Sequence, residues 1–414
     1  MKRPLNVSKQ TGARFSVIIP AYNEESGISS ILDRVLSIQS ELEALAVTGP
    51  EVVVVNDGSR DRTAEIVSRY PDVRLVCHET NRGYGAALKT GFCHSTGDLL
   101  AFLDADGTYP PEQFPQLCRA ALAGADLVIG SRMAGAKSEM PPVRRVGNLL
   151  FAILVSLVSN HRVSDSASGM RVFRREVLER LYPLPDGLEF TPVMSTRAIH
   201  ERIKMVEVPI PYSERVGQSK LSVVNDGMRF LNSIIWTVLS YNPVRILGAL
   251  GMVGVGFAIL VASVLTVLRL GGVNRLGPWG VFALFSGLVL GVTGVSVFSL
   301  GAVFNYLVSL FQQRPVQQGL FGKPIFNPPL DRQFWWIGGL SALIGCVIGI
   351  VSLLLSFDGW DMSRLWLWLV GSSMLILVGV LLVIWWIVMR VLEELAQRQV
   401  KMELDLRAKS YGGL

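Results

Sequence analysis

LLAFLDADGTYPPE, residues 99–112, is the stretch from which the fold can be read. Residues 99–103 are apolar without interruption, the profile of a short strand buried on both faces. They run into two carboxylates one residue apart, Asp104 and Asp106. Gly107, Pro110 and Pro111 then force a turn. In open α/β sheets, ligands bind outside the carboxyl ends of the strands. Carboxylate oxygens placed there suit hard cations such as Mg²⁺ or Mn²⁺, and Mg²⁺ takes its other ligands from water and substrate phosphates. A solvated turn that carries two Asp is the bland alternative, and a bare DxD would favour it. The neighbouring stretches shift the balance towards a metal–diphosphate site.

Upstream, FSVIIPAYNEE (15–25) reads as a strand stopped by Pro20 and a turn into a helix through about residue 45. EVVVVNDGSRDRT (51–63) repeats the plan, with Asp57 and Gly58 at the turn and Ser59 or Asp61 as candidate helix caps. VRLVCHE (73–79) is a third strand, and NRGYGAALKTGF (81–92) a glycine-rich turn entering a helix. Downstream, a helix over 112–123 leads to the strand ADLVIGSR (125–132). Strands alternating with helices predict βαβ units and a mainly parallel sheet. The polar clusters all follow strands, which gathers them at one sheet edge. The pair Gly83 and Gly85 lacks the spacing of a dinucleotide or Walker loop.

SVIIPAYNEE, VVNDGSRD, NRGYGAALKTG, LDADGTYPPE, GSR and DSASGMRVFRR, in that order, resemble family 2 glycosyltransferases of the GT-A fold. The likeness is strongest to the polyprenyl-phosphate glycosyltransferases of the dolichyl-phosphate mannose synthase group, over about residues 15–230. It implies a Rossmann-like α/β GT-A catalytic domain. Pro20, Tyr22, Glu24 and Asp57 would then line the nucleotide pocket, with Asp104 at the nucleotide end and Asp106 on the metal. Dolichyl-phosphate mannose synthases often carry a Gln ligand where this chain has Thr108, whose oxygen can also coordinate. Arg215, Ser219 and Lys220 match a segment that folds over the donor diphosphate. Asp165 and Arg171 match a motif on the acceptor side, though the two could instead pair with each other. Asp165 is also a fallback base. In the residue pattern itself, 165–181 reads as a glycine turn into an amphipathic helix.

Residues 132–145 are basic and broken by Pro141 and Pro142, with Arg132, Lys137, Arg144 and Arg145 against Glu139. This is either a solvated loop or a phosphate clamp, since guanidinium groups bind phosphate bidentately. The resemblance implies contact with a lipid phosphate there. The apolar stretch 147–159 is too short to span a bilayer and reads as a helix packed at the membrane face of the domain.

The chain has 414 residues, 50% hydrophobic and 17% charged, with a mean hydropathy of +0.41. That is too apolar for an ordinary soluble protein. The excess lies beyond Tyr241, in four uncharged runs at about 246–268, 280–307, 334–357 and 365–389. Each is long enough to span. Trp279, Trp335, Trp336, Trp366, Trp368, Trp385 and Trp386 fall near their ends, as in an aromatic belt. The second connection and the tail are the richest in Lys and Arg, which predicts a cytoplasmic catalytic domain. The net charge of +6 fits that asymmetry, and no nucleic-acid motif accompanies it. Residues 221–243 have the profile of an interfacial helix. The division expected is thus 1–220 catalytic, 221–243 interfacial and 244–414 transmembrane. Cys77, Cys93, Cys118 and Cys346 show no metal or redox spacing, and the four His are scattered. The first residues lack the apolar core of a signal peptide, and no internal repeat is evident.

The reading is a multi-pass cell-membrane enzyme that passes a sugar from a nucleotide sugar to a polyprenyl phosphate with inversion, using Mg²⁺ or Mn²⁺. Asp104, Asp106 and Asp165 form its catalytic set, and the sequence leaves a homo-oligomer open. A processive polysaccharide synthase is the nearest alternative, without the QxxRW motif typical of those enzymes. A non-enzymatic membrane scaffold is the other, and should show charges inside its spans; the four runs hold none.

Overall fold

The computed structural model describes residues 12–133, 145, 147–149, 152, 164–213, 223–273, 276–312, 329–360 and 362–411. The chain divides into two units, Met1–Thr237 and Val238–Leu414.

The first unit is built on a seven-stranded sheet. Its strands are β1 (Ala13–Ala21), β2 (Val47–Asp57), β3 (Val73–His78), β4 (Leu99–Phe102), β5 (Leu127–Ser131), β6 (Arg171–Arg174) and β7 (Met205–Pro209), in the order β3-β2-β1-β4-β6-β5-β7. Every pairing is parallel except those of β6, which runs antiparallel to both β4 and β5. The apolar runs are continuous because both faces are covered. Val17, Ile19, Val54 and Ala101 face one core with Ile31, Leu32 and Leu117 from the helices Ile28–Ser37 and Phe114–Leu122. Ile18, Leu100 and Phe102 face the other, with Leu88, Phe92, Phe190 and Met194 from the helices Tyr84–His94 and Phe190–His200.

Three expectations need correction. Pro20 does not end β1, which continues through Ala21 in register with Asn56. Pro20 shares the side of Ile18, whose carbonyl accepts from Leu103, and β4 has already ended at Phe102. Its missing N–H therefore costs no ladder bond. Second, residues 165–181 are not one helix: β6 occupies Arg171–Arg174, and only Leu178–Leu181 is α-helical. Val172 and Phe173 pack on opposite faces of the sheet, a period of two that overrides the helical reading. Third, of the two candidate caps only Asp61 serves: its Oδ1 accepts the Thr63 amide at 3.0 Å, at the start of the helix Thr63–Val67, whereas Ser59 bonds the Asn23 amide.

The boundary between units falls within the helix Val223–Leu239. Among the described residues the second unit has four helices long and apolar enough to cross a membrane, over Pro243–Leu270, Pro278–Phe311, Leu330–Phe357 and Leu365–Leu395. Leu250, Val253, Leu343 and Leu354 point outward from them, and the chain is a membrane protein. The fourth helix continues to Tyr411.

These helices form two hairpins that repeat one another, contrary to the sequence reading. Gly251 packs on the carbonyl of Gly294, and Gly338 on that of Gly379. The 87-residue step from Gly251 to Gly338 also takes Gly272 to Gly359, glycines with φ of +90° and +85° that close the two first helices. The same step maps the amide bonds of Gly271, Gly272 and Val273 onto those of Asp358, Gly359 and Trp360, acceptors included. The repeat is carried by close backbone approach and a shared helix end, while the side chains between are interchangeable apolar residues. Gly251→Val and Gly338→Val should each cost about 1–3 kcal/mol through overpacking. Gly256→Val, with open space around it, should not. Thermal unfolding in detergent measures all three.

Candidate active site

The turns that follow β1 and β2 are laced together. Asn23 N–H donates to Ser59 Oγ at 2.9 Å, and Arg60 N–H returns a bond to Asn23 Oδ1 at 2.8 Å. Glu24 N–H donates to Thr63 Oγ1 at 2.9 Å and Glu25 N–H to Asp61 Oδ2 at 3.0 Å. Tyr22 and Glu24 are half-buried on this lace, next to Pro20. Asp57, expected to face the nucleotide, is buried and fully engaged. It accepts the amides of Arg82 and Gly83, each at 2.9 Å, and lies 2.6 Å from His78 Nδ1. His78 in turn reaches Thr90 at 2.9 Å, so this His is structural. Asp57 thereby fixes the glycine-rich turn, where Gly83 has a φ of +102° that only glycine adopts readily.

β4 delivers Asp104 and Asp106 as expected, both half-buried. Tyr84 Oη donates to Asp104 Oδ1 at 2.8 Å. Burial and the nearby Asp104 charge push the Tyr84 hydroxyl well above its usual range, so it stays a donor. Asp106 Oδ1 accepts from the Thr108 amide at 3.1 Å and hydroxyl at 2.6 Å. Thr108 is buried, and it orients Asp106 where the sequence reading made it a metal ligand. On the far side, a Cβ at Gly169 would overlap the Asp104 carboxylate and force it to shift.

The residues read as the acceptor side are largely internal. Arg132 makes two side-chain bonds to Asp165, Nε to Oδ2 and Nη2 to Oδ1, both at 2.7 Å. Its amide adds a third at 3.1 Å. The guanidinium lies 5.7 Å from the Tyr109 ring and 5.4 Å from the Tyr212 ring. Only 10% of the Arg132 side chain and none of Asp165 is exposed. Burial pushes the Asp165 carboxyl up, but Arg132 outweighs it and holds the group below its ordinary value. A carboxylate so held is a poor base. Arg171 is fully buried, with Nε on the Ser168 carbonyl at 3.1 Å and Nη2 on that of Ser166 at 2.7 Å. Burial lowers its pKa to about 10. Both arginines thus bond within the fold, with the buried Arg171 Nη1 left without a hydrogen bond among the described residues. Arg145 is exposed and helical. Arg144, Arg215, Ser219 and Lys220 lie outside the described residues, as does most of 147–159.

The sequence reading missed Tyr84, Tyr109, Tyr212 and Glu207. Glu207 on β7 accepts the amides of Ser164 and Asp165 at 2.8 and 3.1 Å. An acid inside a strand, and tyrosines inside Gly- and Pro-rich turns, were the available signals.

Among the described residues no three His, Cys, Asp or Glu cluster as a closed metal site. Asp104 and Asp106 fit an open one, since two carboxylates suit Mg²⁺ or Mn²⁺ that completes its shell with water and phosphate.

Comparison with known proteins accords with this geometry. The family described as glycosyl transferase family 2 matches residues 16–182. The undecaprenyl-phosphate 4-deoxy-4-formamido-L-arabinose transferase of Edwardsiella ictaluri is 31% identical over 306 residues, 72% of this chain and 89% of that one. The chain belongs to glycosyl transferase family 2. This glycosyltransferase is also 34% identical to a dolichyl-phosphate beta-glucosyltransferase of Trichomonas vaginalis, over 50% of this chain and 65% of that one. A solved structure of glucosyl-3-phosphoglycerate synthase from Mycobacterium tuberculosis, with Mn²⁺, UDP and phosphoglyceric acid, is similar over 56% of this chain and 78% of that one. Its TM-score is 0.44 at 23% identity. Residues 243–403 of the glycosyltransferase match a domain of unknown function, DUF8752.

Breaking the buried pair should be costly. Arg132→Ala or Asp165→Asn should each lose about 3–5 kcal/mol, because one charge is left buried alone. Arg132→Met with Asp165→Leu should lose less than the sum of the singles. Because the Asp165 pKa is depressed on folding, its stabilisation is present above the unfolded value of about 3.9 and is lost as pH falls through the folded one. Thermal melts across acid pH measure both effects.

Proposed function

We propose that this glycosyltransferase moves a sugar from a nucleoside diphosphate sugar to a polyprenyl phosphate, with inversion. One observation carries the reading. The similarity to the undecaprenyl-phosphate transferase spans 306 residues, more than the whole first unit, Met1–Thr237. It therefore runs on into the apolar helices, as expected where the acceptor is a lipid.

Asp104 and Asp106 would hold Mg²⁺ or Mn²⁺, which when bound offsets charge on the leaving diphosphate. Tyr84 and Thr108 orient the two carboxylates by the bonds described above. Pro20, Tyr22 and Glu24 would border the donor nucleotide, with Arg215, Ser219 and Lys220 closing over its diphosphate. Arg144 and Arg145 remain the basic groups for the acceptor. A phosphate monoester has its second pKa near ~6 and attacks already ionised. The engagement of Asp165 with Arg132 is thus no obstacle to the reaction. The soluble unit would lie on the cytoplasmic side of the cell membrane.

Membranes carrying the protein, given a panel of nucleotide sugars and undecaprenyl phosphate, should form a radiolabelled lipid product that chelators abolish. Asp106→Ala should lose transfer and keep its melting temperature. Tyr84→Phe removes one hydrogen bond to a charged group, worth about 1.5–3 kcal/mol. It should weaken Mn²⁺ binding roughly 10- to 100-fold by calorimetry. Absence of product with every donor would refute the function. Orientation has its own check: cysteines introduced at 272 and 322 should label from opposite faces with an impermeant thiol reagent.

A further inference from the structure

The two membrane hairpins carry a cation at equivalent positions, and among the described residues only one is matched with a counter-charge. The 87-residue step that relates the helices Pro243–Leu270 and Leu330–Phe357 takes Arg245 to Arg332, each in the first turn. Arg332 Nη2 donates to Glu393 Oε1 at 2.5 Å, and Arg390 Nη1 to Glu393 Oε2 at 2.6 Å. The second helices are related by the 85-residue step from Gly294 to Gly379. That step is repeated by Phe298 and Val383, which touch Gly251 and Gly338 respectively. It takes Glu393 back to Val308, a half-buried apolar residue. Arg245 is half-buried as well, and among the described residues its guanidinium makes no hydrogen bond or ion pair.

Arginine does not shed its charge at physiological pH. A guanidinium in the first turn of a spanning helix sits at the level of the headgroups, where its stem can lie along apolar surface. The surroundings at this helix start are polar: Asn305 Oδ1 accepts the Val244 amide at 3.2 Å, and Asn305 Nδ2 reaches Asn242 Oδ1 at 3.4 Å. Planar guanidinium groups pair with carboxylate and phosphate alike, through the same two-pronged geometry. In the second hairpin the protein supplies the anion. In the first, no described residue supplies it.

We propose that Arg245 is the protein half of a lipid phosphate site, the phosphate standing where Glu393 stands in the second hairpin. The lipid-binding test of this site does not depend on the transfer reading. The phosphate can come from bulk anionic phospholipid or from a polyprenyl phosphate, and the two sources are separable. The full chain in detergent is titrated with phosphatidylglycerol and, separately, with undecaprenyl phosphate, and bound lipid is counted by native mass spectrometry. Arg245→Gln should weaken binding of at least one lipid about tenfold or more, the loss of a charged hydrogen-bond partner. Val308→Glu, which restores the built-in carboxylate, should do the same while Arg245 is still present. Loss confined to phosphatidylglycerol supports a bulk-lipid site, and loss confined to undecaprenyl phosphate supports an acceptor-lipid site. Wild-type affinity for both lipids in both variants, each with an intact thermal melt, would overturn the proposal.

Discussion

The ion pair of Arg132 with Asp165 is the constraint on which the sheet edge depends. It joins the end of β5 to the turn that feeds β6, and both charges are almost wholly out of water. Taking two such charges from solvent costs several kcal/mol per ion, recovered only where geometry is good and further bonds complete the shell. Here the shell is complete on several sides. Tyr109 and Tyr212 flank the guanidinium, and Glu207 receives the amides that lead into Asp165. Tyr109 accepts the Gly169 amide at 2.8 Å, and Gly169 abuts Asp104. A single chain of contacts therefore runs from the buried pair to the carboxylate that ends β4.

Much of this was legible. The strands β1 to β5 announced themselves as short apolar runs followed by polar turns, and Asp104 and Asp106 stand where the pattern put them. Side-chain allegiance was not legible. Arg132 in a basic, proline-broken loop reads as a phosphate ligand, and nothing local says that a carboxylate 33 residues later will claim it. Asp57 reads as a pocket residue for the same reason, because its partners at 78, 82 and 83 are set by the β2–β3 pairing. β6 was missed because an antiparallel insertion in a parallel sheet is a tertiary event. RREVLERL looks helical, and the strand before it is only four residues long.

The membrane unit shows the opposite balance. Its four helices were plain from length and composition, yet their duplication was hidden. In a bilayer the side chains between helices have little to specify beyond apolarity, so a repeat can drift until only its close contacts remain. Those are the glycine crossings and the glycine helix ends. The divergence is informative in its own right. An arginine at a bilayer surface is ordinary, but Arg245 differs from its repeat mate Arg332 in having no carboxylate beside it among the described residues.

The same charge reasoning bears on the proposed acceptor. Arg132 and Arg171 are committed inside the fold, and the groups that reach solvent at the end of β4 are carboxylates. A diphosphate brought to about 5 Å from one such charge meets about 3 kcal/mol of repulsion per unit charge, at an effective dielectric of about 20. A divalent cation between them reverses the sign, so the metal proposal follows from the charges as much as from the family. A phosphate acceptor suits the same charges. A hydroxyl acceptor asks for a base, and Asp165, the carboxylate nominated for that task, is buried and held ionised by Arg132. Asp104 and Asp106 are engaged with Tyr84 and Thr108 at the metal end. A nucleophile that arrives already ionised asks nothing of them, and a phosphate monoester at neutral pH is such a nucleophile.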